Sequence, residues 1–213
     1  SAKCPRAKPY ERCVDLACIA VDEALTEAGL DVAGVRSGLR IGVILGTVVG
    51  TALEEESFYR LYHDGGFPAV TPVIRFLRSN PAQCVCERLG LSGPYMTVTT
   101  ACTSGAAAIC QGAAWIHGDL CDVVIAGGAE KFSRLTYDGF ISLMITASEP
   151  CHPFDGRGEG LNLGEGAGVI ILEQPRSAER RGGTPLGWLT GTGNACDAHH
   201  LSQPHPEGRG LRR

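Results

Sequence analysis

The apolar residues of this chain alternate between helical spacing and short continuous runs. From Tyr10 to Gly29 they recur at helical spacing with a glycine after the last turn, which predicts an amphipathic helix. Arg40–Leu45 is a short apolar run, which is typical of a buried parallel strand. The other predicted helices are Glu54–His63, Thr71–Leu89 (one helix, or two broken at Asn80-Pro81), Thr103–His117 and Pro175–Arg181, and the other predicted strands are Tyr95–Thr99, Cys121–Ala126, Val169–Glu173 and Leu186–Gly193. This alternation of strands and helices predicts an α/β fold with a largely parallel sheet.

The predicted helix Thr103–His117 consists almost wholly of small apolar residues and has almost no polar face. Such a helix is expected to be buried on all sides. Its small side chains would let a sheet pack closely on each side of it. The strand before it, Tyr95–Thr99, is also predicted to be buried.

Cys102 stands where this strand meets this helix. A thiol at a helix N-terminus lies in the field of unpaired backbone N–H groups, which favours the thiolate. Because the thiolate is the nucleophilic form, this position predicts an activated cysteine. The alternative is a buried structural cysteine, and the surrounding motifs decide between the two.

Composition narrows the class of protein. The 213 residues are 44% hydrophobic and 20% charged with a net charge of −4, which is ordinary for a soluble globular enzyme and gives no reason to expect nucleic acid as a partner. No apolar stretch reaches the length of about 18 residues that a membrane span needs, and the first residues lack a secretory signal, so a cytoplasmic location is expected. The ten cysteines are scattered without a Cys-x-x-Cys pair, which favours reduced thiols over disulfides or a metal site.

Seven motifs in a fixed order resemble those of the β-ketoacyl-acyl-carrier-protein synthases, the elongating condensing enzymes of fatty acid and polyketide synthesis. They are Asn-Pro-Ala-Gln at 80–83, Gly-Leu-Ser-Gly-Pro at 90–94, Thr-Ala-Cys-Thr-Ser-Gly at 100–105, Ala-Gly-Gly-Ala-Glu-Lys at 126–131, Pro-Phe-Asp-Gly-Arg at 153–157, Leu-Gly-Glu-Gly-Ala-Gly-Val-Ile-Ile-Leu-Glu at 163–173 and Asp-Ala-His-His at 197–200. The resemblance runs from about Tyr10 to about Gly210. The motif around Cys102 is the most specific of them.

The resemblance implies the thiolase fold, a layered α/β/α/β/α architecture made of two similar halves. Residues 1–213 would form one incomplete domain, the N-terminal half, without the family's first strand and C-terminal half. The family's His-Gly-Thr-Gly-Thr motif and Gly-Phe-Gly-Gly loop do not occur in this sequence. These residues alone are therefore expected to be catalytically incomplete, because losing even one oxyanion donor costs about 10²–10³ in rate.

The resemblance also implies roles for four residues. Cys102 would accept the acyl group, and its backbone N–H would be one of two oxyanion donors. Phe140 matches an aromatic that borders the acyl pocket, although a core phenylalanine is an equal alternative. His200 lies in a segment that approaches the phosphopantetheine arm, and Ser202 stands where relatives place a threonine that binds the pantetheine amide.

Four further charged residues are of types that often act in catalysis. They are nevertheless predicted to form a paired structural network, because buried charges persist only with partners. They are Glu130, Asp155, Arg157 and Glu165.

The function that the resemblance implies is Claisen condensation of an acyl group on Cys102 with a malonyl thioester. Substrates would be carried on the phosphopantetheine of acyl carrier protein or coenzyme A, with no tightly bound cofactor and no metal. The protein is expected to be a homodimer or heterodimer, with Tyr95–Thr99 as the joining strand.

Three alternatives stay open at different strengths. One is a non-catalytic truncated half-fold or partner subunit, although such partners usually carry glutamine where Cys102 stands. Another is a thiolase or other acyltransferase, which the residues around Cys102 disfavour. A cysteine protease would need a histidine in a recognisable partner motif, and the sequence has none.

Overall fold

The computed structural model describes residues 11–30, 38–50, 52, 55–156, 158, 160–200 and 203–212. Their helices are α1 (Arg12–Glu27), α2 (Glu56–His63), α3 (Thr71–Leu77), α4 (Pro81–Leu89), α5 (Ser104–His117), α6 (Arg134–Ser142) and α7 (Pro175–Arg180), with 3-10 turns at Ala101–Thr103 and Arg209–Arg212. Their strands are β1 (Ile41–Gly46), β2 (Tyr95–Val98), β3 (Val123–Glu130) and β4 (Gly166–Glu173). The α/β class predicted from the sequence is confirmed.

The four strands form one sheet in the order β2-β1-β3-β4. β1 pairs in parallel with both β2 and β3, and β4 runs antiparallel to β3. Alternate side chains of the buried strand β1 enter two separate cores. Val43 and Leu45 pack with α1 and α4 on one face, whereas Ile44 packs with α5 on the other. The described residues thus form three layers, helix on sheet on helix.

The predicted element boundaries agree closely with the structure where turn chemistry sets them. The helix expected over Thr71–Leu89 is broken at Asn80-Pro81, because Asn80 caps α4 through a hydrogen bond from the Gln83 N–H to its Oδ1 (3.1 Å). Gly29 ends the turn after α1 with φ of +63°. Tyr10 and Glu54, the first residues of two predicted helices, lie outside the described residues.

Three predictions from hydrophobic pattern are wrong: the strand at 186–193, the burial of β2, and the burial of α5 on all sides. Leu186–Gly193 pairs with none of the described strands, and Leu186 is 91% exposed and Trp188 70% exposed. β2 is an edge strand whose first residues, Tyr95 and Met96, are exposed, because a strand neighbour covers it on one side only.

The helix α5 is not buried on all sides. Its fully buried residues are Ser104, Ala108, Gly112 and Ala113, which face the sheet, while much of the opposite side is partly exposed. The small residues therefore pack closely on one sheet, and no described element covers the other side. β3 is longer than predicted because the strand continues through Gly127 and Gly128.

Nine described cysteines are free thiols, five of them buried. Within the part of the chain that the structure covers, no helix is both long and apolar enough to cross a membrane.

Candidate active site

Cys102 occupies the 3-10 turn Ala101–Thr103, between the end of β2 and the first residue of α5. Cys102 is exposed to solvent. The preceding residue, Ala101, has φ of +51°, a left-handed conformation that residues other than glycine rarely adopt. Strained backbone of this kind is found preferentially at functional sites. The turn therefore presents the thiol at the surface, immediately before the helix.

Two hydroxyl groups hold this turn. Ser104 Oγ accepts a hydrogen bond from the Thr100 N–H (2.9 Å) and donates one to the Ala101 carbonyl (2.7 Å). Thr103 Oγ1 donates to the Thr100 carbonyl (2.8 Å). Because Ser104 is buried, its two hydrogen bonds are shielded from water. The residues on both sides of Cys102 are therefore tied to each other.

Glycines bring the start of α5 into contact with the sheet. A Cβ on Gly46, the last residue of β1, would lie 2.3 Å from the Ser104 carbonyl carbon. A Cβ on Gly128 of β3 would lie 3.6 Å from the Cα of Gly105. The first turn of α5 thus rests on the carboxyl ends of two parallel strands, which is where open α/β sheets bind ligands.

The loop that follows β1 runs beside this contact and is held by two polar side chains. Glu130 Oε2, at the end of β3, accepts hydrogen bonds from the Val48 N–H (2.7 Å) and from Thr47 Oγ1 (3.3 Å). Thr47 Oγ1 also accepts from the Gly50 N–H (3.2 Å), and the Thr47 N–H donates to the Val98 carbonyl (3.0 Å). The loop is therefore bonded to both strands that flank β1.

An open apolar groove of about 490 Å³ lies against this loop, and several of its lining side chains are exposed. Its walls include Val48 and Val49 of the loop, Tyr59 of α2, Phe76 and Leu77 of α3, and Leu135 of α6. The loop after β1 thus begins directly after Gly46, which contacts α5, and it lines this groove.

The structure does not join the other predicted binding residues to Cys102. Phe140 lies half-buried on α6, a helix that has no fully buried residue. His200 is exposed, and its Nδ1 accepts a hydrogen bond from the Gln203 N–H (3.2 Å) in its own loop. Ser202 lies outside the described residues. The roles of these three residues stay predictions.

The charged residues expected to form one network have separate partners. Arg12 Nε donates to both carboxylate oxygens of Glu165 (2.8 Å each), and these hydrogen bonds lower the pKa of Glu165. Glu130 contacts the loop after β1 instead. The backbone N–H of Asp155 donates to the His152 carbonyl (3.1 Å), and Arg157 lies outside the described residues.

Sequence reasoning missed the contact between Glu130 and the loop and the hydrogen bonds of Ser104. The sequence carried a signal for the contact between Glu130 and the loop. Thr47 directly follows β1 and Glu130 ends β3, and the carboxyl ends of these neighbouring parallel strands meet at one edge of the sheet. Nothing in the sequence showed which atoms would pair. In the described ranges, no group of three or more His, Cys, Asp or Glu residues is arranged to hold a metal ion.

Comparison with known proteins gives a consistent family assignment. Residues 2–178 match the family model of the β-ketoacyl synthase N-terminal domain. The chain is 33% identical over 197 residues to nodulation protein E of Rhizobium meliloti (strain 1021), covering 91% of this chain and 48% of that protein. It is 37% identical over 132 residues to 3-oxoacyl-[acyl-carrier-protein] synthase 2 of Synechocystis sp., covering 59% of this chain and 32% of that protein.

A solved structure shows the same relationship. The ishigamide ketosynthase/chain length factor superposes with a TM-score of 0.84 at 26% identity, over 95% of this chain and 52% of that chain. The thiolase-like fold expected from the sequence is confirmed by this likeness. The present chain spans about half the length of such relatives, or less.

Proposed function

Because the chain belongs to the β-ketoacyl synthase family, we propose that it is the N-terminal part of a condensing enzyme in which Cys102 accepts the acyl group. The observation that carries the proposal is the position of Cys102. Its thiol is exposed in a strained turn, at the start of a helix that rests on the carboxyl ends of β1 and β3.

The chemistry assigned to this chain is acyl transfer. The Cys102 thiolate attacks the carbonyl carbon of an acyl thioester, the new carbon–sulfur bond forms, and the carrier thiol leaves after taking up a proton. The Cys102 N–H is proposed as one donor to the tetrahedral oxyanion. A second donor and the two histidines that hold the malonyl enolate in the family belong to motifs absent from these 213 residues.

Condensation would then complete the cycle. Decarboxylation of a malonyl thioester releases CO₂ and leaves a carbanion, which attacks the acyl-Cys102 carbonyl carbon. The carbon–carbon bond forms, the Cys102 thiolate leaves, and a β-ketoacyl thioester is released. Acyl carrier protein is the proposed carrier, in keeping with the name of the Synechocystis relative, and no tightly bound cofactor is required.

Phe140, His200 and Ser202 are proposed to contact the substrate. Phe140 would border the acyl chain, while His200 and Ser202 would approach the pantetheine arm. This assignment rests on the match to the family's motifs. Residues 1–213 are proposed to form a single incomplete ketosynthase domain.

A second candidate is a non-catalytic partner subunit, which the uncovered side of α5 and the exposed edge strand β2 favour. Both features offer apolar surface to another chain. The solved ketosynthase/chain length factor pair illustrates such an arrangement, so a homodimer or heterodimer is proposed. In this case the partner would supply the catalytic groups.

Intact-protein mass spectrometry after incubation with an acyl-carrier-protein thioester tests the proposal. We expect a single acyl adduct on the unaltered chain and none on Cys102→Ala. Cys196→Ala is the matched control, because Cys196 is also an exposed free thiol, and it should keep the adduct. An adduct that survives in Cys102→Ala would contradict acyl transfer to Cys102, and no adduct on the unaltered chain would favour the non-catalytic partner subunit.

A further inference from the structure

We propose that Glu130 is a positioning residue that holds the loop of residues 47–50, and that it thereby sets which acyl-chain lengths Cys102 accepts. This inference rests on the proposed function, since it concerns the acyl group that Cys102 would carry. Glu130 does not touch the substrate itself. It acts through the backbone of the loop.

The contact between Glu130 and the loop is specific. One carboxylate oxygen, Oε2, binds the Val48 N–H at 2.7 Å and the Thr47 hydroxyl at 3.3 Å. Hydrogen bonds to an ionised acceptor are about twice as strong as neutral ones. Thr47 is itself buried, and its hydroxyl accepts a hydrogen bond from the Gly50 N–H, which links the two ends of the loop. The Glu130 carboxylate therefore holds both the Val48 backbone and the Thr47 side chain that makes this link.

This loop begins beside the contact between β1 and α5 and lines the apolar groove. Gly46, directly before it, is in contact with the backbone of Ser104, two residues after Cys102. Val48 and Val49, which belong to the loop, form part of the groove wall. A shift of the loop would therefore change the shape of the groove directly. The turn around Cys102 would change less, because it has its own hydrogen bonds.

The second carboxylate oxygen of Glu130 does not take part in holding the loop. Among the described residues, Oε1 is buried without a hydrogen-bond partner, an arrangement that costs stability. No space for a ligand lies beside it toward Gly50, because a Cβ on Gly50 would meet Thr47 Oγ1 at 2.4 Å, Cys13 Sγ at 2.5 Å and Glu130 Oε1 at 3.1 Å. The described hydrogen bonds of Glu130 go to the loop, and they need an oxygen acceptor at this position.

Removing the carboxylate should affect long acyl chains more than short ones. In this proposal a long chain extends along the groove wall and loses contacts when Val48 and Val49 move. A short chain stays near Cys102 and does not depend on that wall. Small displacements in a site, or the loss of one or two methylene contacts, change rates by about tenfold to a hundredfold.

The test compares acylation of Cys102 by four-carbon and twelve-carbon acyl thioesters of pantetheine, followed by intact mass spectrometry. In Glu130→Ala we expect the twelve-carbon rate to fall about tenfold while the four-carbon rate changes by less than about twofold. Glu130→Gln keeps an amide oxygen that can accept from the Val48 N–H, so it should restore the unaltered ratio. Amide hydrogen exchange at Val48 and Gly50 should become faster in Glu130→Ala and not in Glu130→Gln.

Glu173→Ala is the matched control. Glu173 also ends a strand and has a largely buried carboxylate, but it pairs with Arg181, and its register opposite Val123 places it at the far end of the sheet from Glu130. It should leave the ratio of twelve-carbon to four-carbon rates unchanged.

The outcomes separate this inference from the proposed function. Acylation of the unaltered chain with an unchanged ratio in Glu130→Ala would overturn the inference alone. An equal loss for both chain lengths would also overturn it, because that result indicates a purely structural role. Absence of any acylation on the unaltered chain would overturn the proposed function, and the inference with it.

Discussion

Gly46 and Ser104 approach each other so closely that a Cβ on Gly46 would lie 2.3 Å from the Ser104 carbonyl carbon. Real Cβ atoms do not come this near to backbone, so the helix that follows Cys102 can rest on β1 only if residue 46 has no side chain. The contact joins the end of a buried strand to the first turn of α5. It sets the height of the helix above the sheet.

Gly46→Ala should therefore destabilise the protein by about 1–3 kcal/mol or more, because the added methyl group forces α5 away from β1. Gly105→Ala is the matched control, since a Cβ there meets none of the described atoms within 4 Å and alanine favours the helix by about 0.5–1 kcal/mol. Denaturant unfolding of both variants measures the difference. Equal stabilities would show that the contact is not maintained in solution.

Ser104→Ala should cost about 1–2 kcal/mol, because the buried hydroxyl bonds both Thr100 and Ala101. It should also slow acylation of Cys102, since the turn that presents the thiol loses two of its hydrogen bonds. Ser142→Ala removes a comparable hydrogen bond in the last turn of α6 and should change neither property appreciably. Unfolding free energies and acylation rates of the two variants provide the comparison, and an unchanged acylation rate in Ser104→Ala would argue against its role in the turn.

Alkylation by iodoacetamide should separate the cysteines into two classes. Burial raises the pKa of Cys13 and of Cys86 to about 11, so at pH 8 only about 0.1% of each is thiolate, and neither is accessible. Cys102 is exposed and should react first, together with Cys196. Peptide mass spectrometry identifies the labelled residues, and unfolding in denaturant should make all of them reactive. Rapid labelling of Cys13 in the folded chain would contradict its burial.

Acid should weaken the junction between β1 and β3. Hydrogen bonds from Arg40 lower the pKa of Asp122, so this carboxylate stabilises the folded state fully above its ordinary pKa of about 3.9. That contribution is lost as the pH falls through the lower folded-state pKa. Asp122→Asn should therefore show a shallower fall in unfolding free energy below about pH 4 than the unaltered chain. Asp64→Asn, which alters an exposed carboxylate, should leave the slope unchanged, and equal slopes in all three proteins would contradict the role of Asp122.

The sequence predicted the elements whose ends depend on local chemistry. Asn80-Pro81 and Gly29 mark helix ends through capping and left-handed backbone, which are properties of single residues and their neighbours. The position of Cys102 before a helix of small residues followed from the same kind of local pattern. These features are readable because they do not depend on what packs elsewhere.

The errors share a different physical origin. Leu186–Gly193 has the composition of a strand, but a strand also needs a neighbour to accept its hydrogen bonds, and composition does not show whether one exists. The expected burial of β2 and of every side of α5 failed for the same reason, since burial depends on what covers a surface. The link from Glu130 to Val48 required knowledge of the sheet register, which is set by the fold as a whole.

The parallel pairing of β1 with β3 has a consequence for how the chain acquires its structure. Partners in this pair, such as Ile41 and Val123, are about 80 residues apart in sequence, so a large loop must close before the central strand is paired on both sides. On the ribosome, β1 is synthesised long before β3 emerges, and in the interval one edge of β1 has no strand to pair with. The nascent chain is therefore exposed to misassembly until synthesis has passed Glu130, which makes chaperone capture during this interval a physical expectation of the topology.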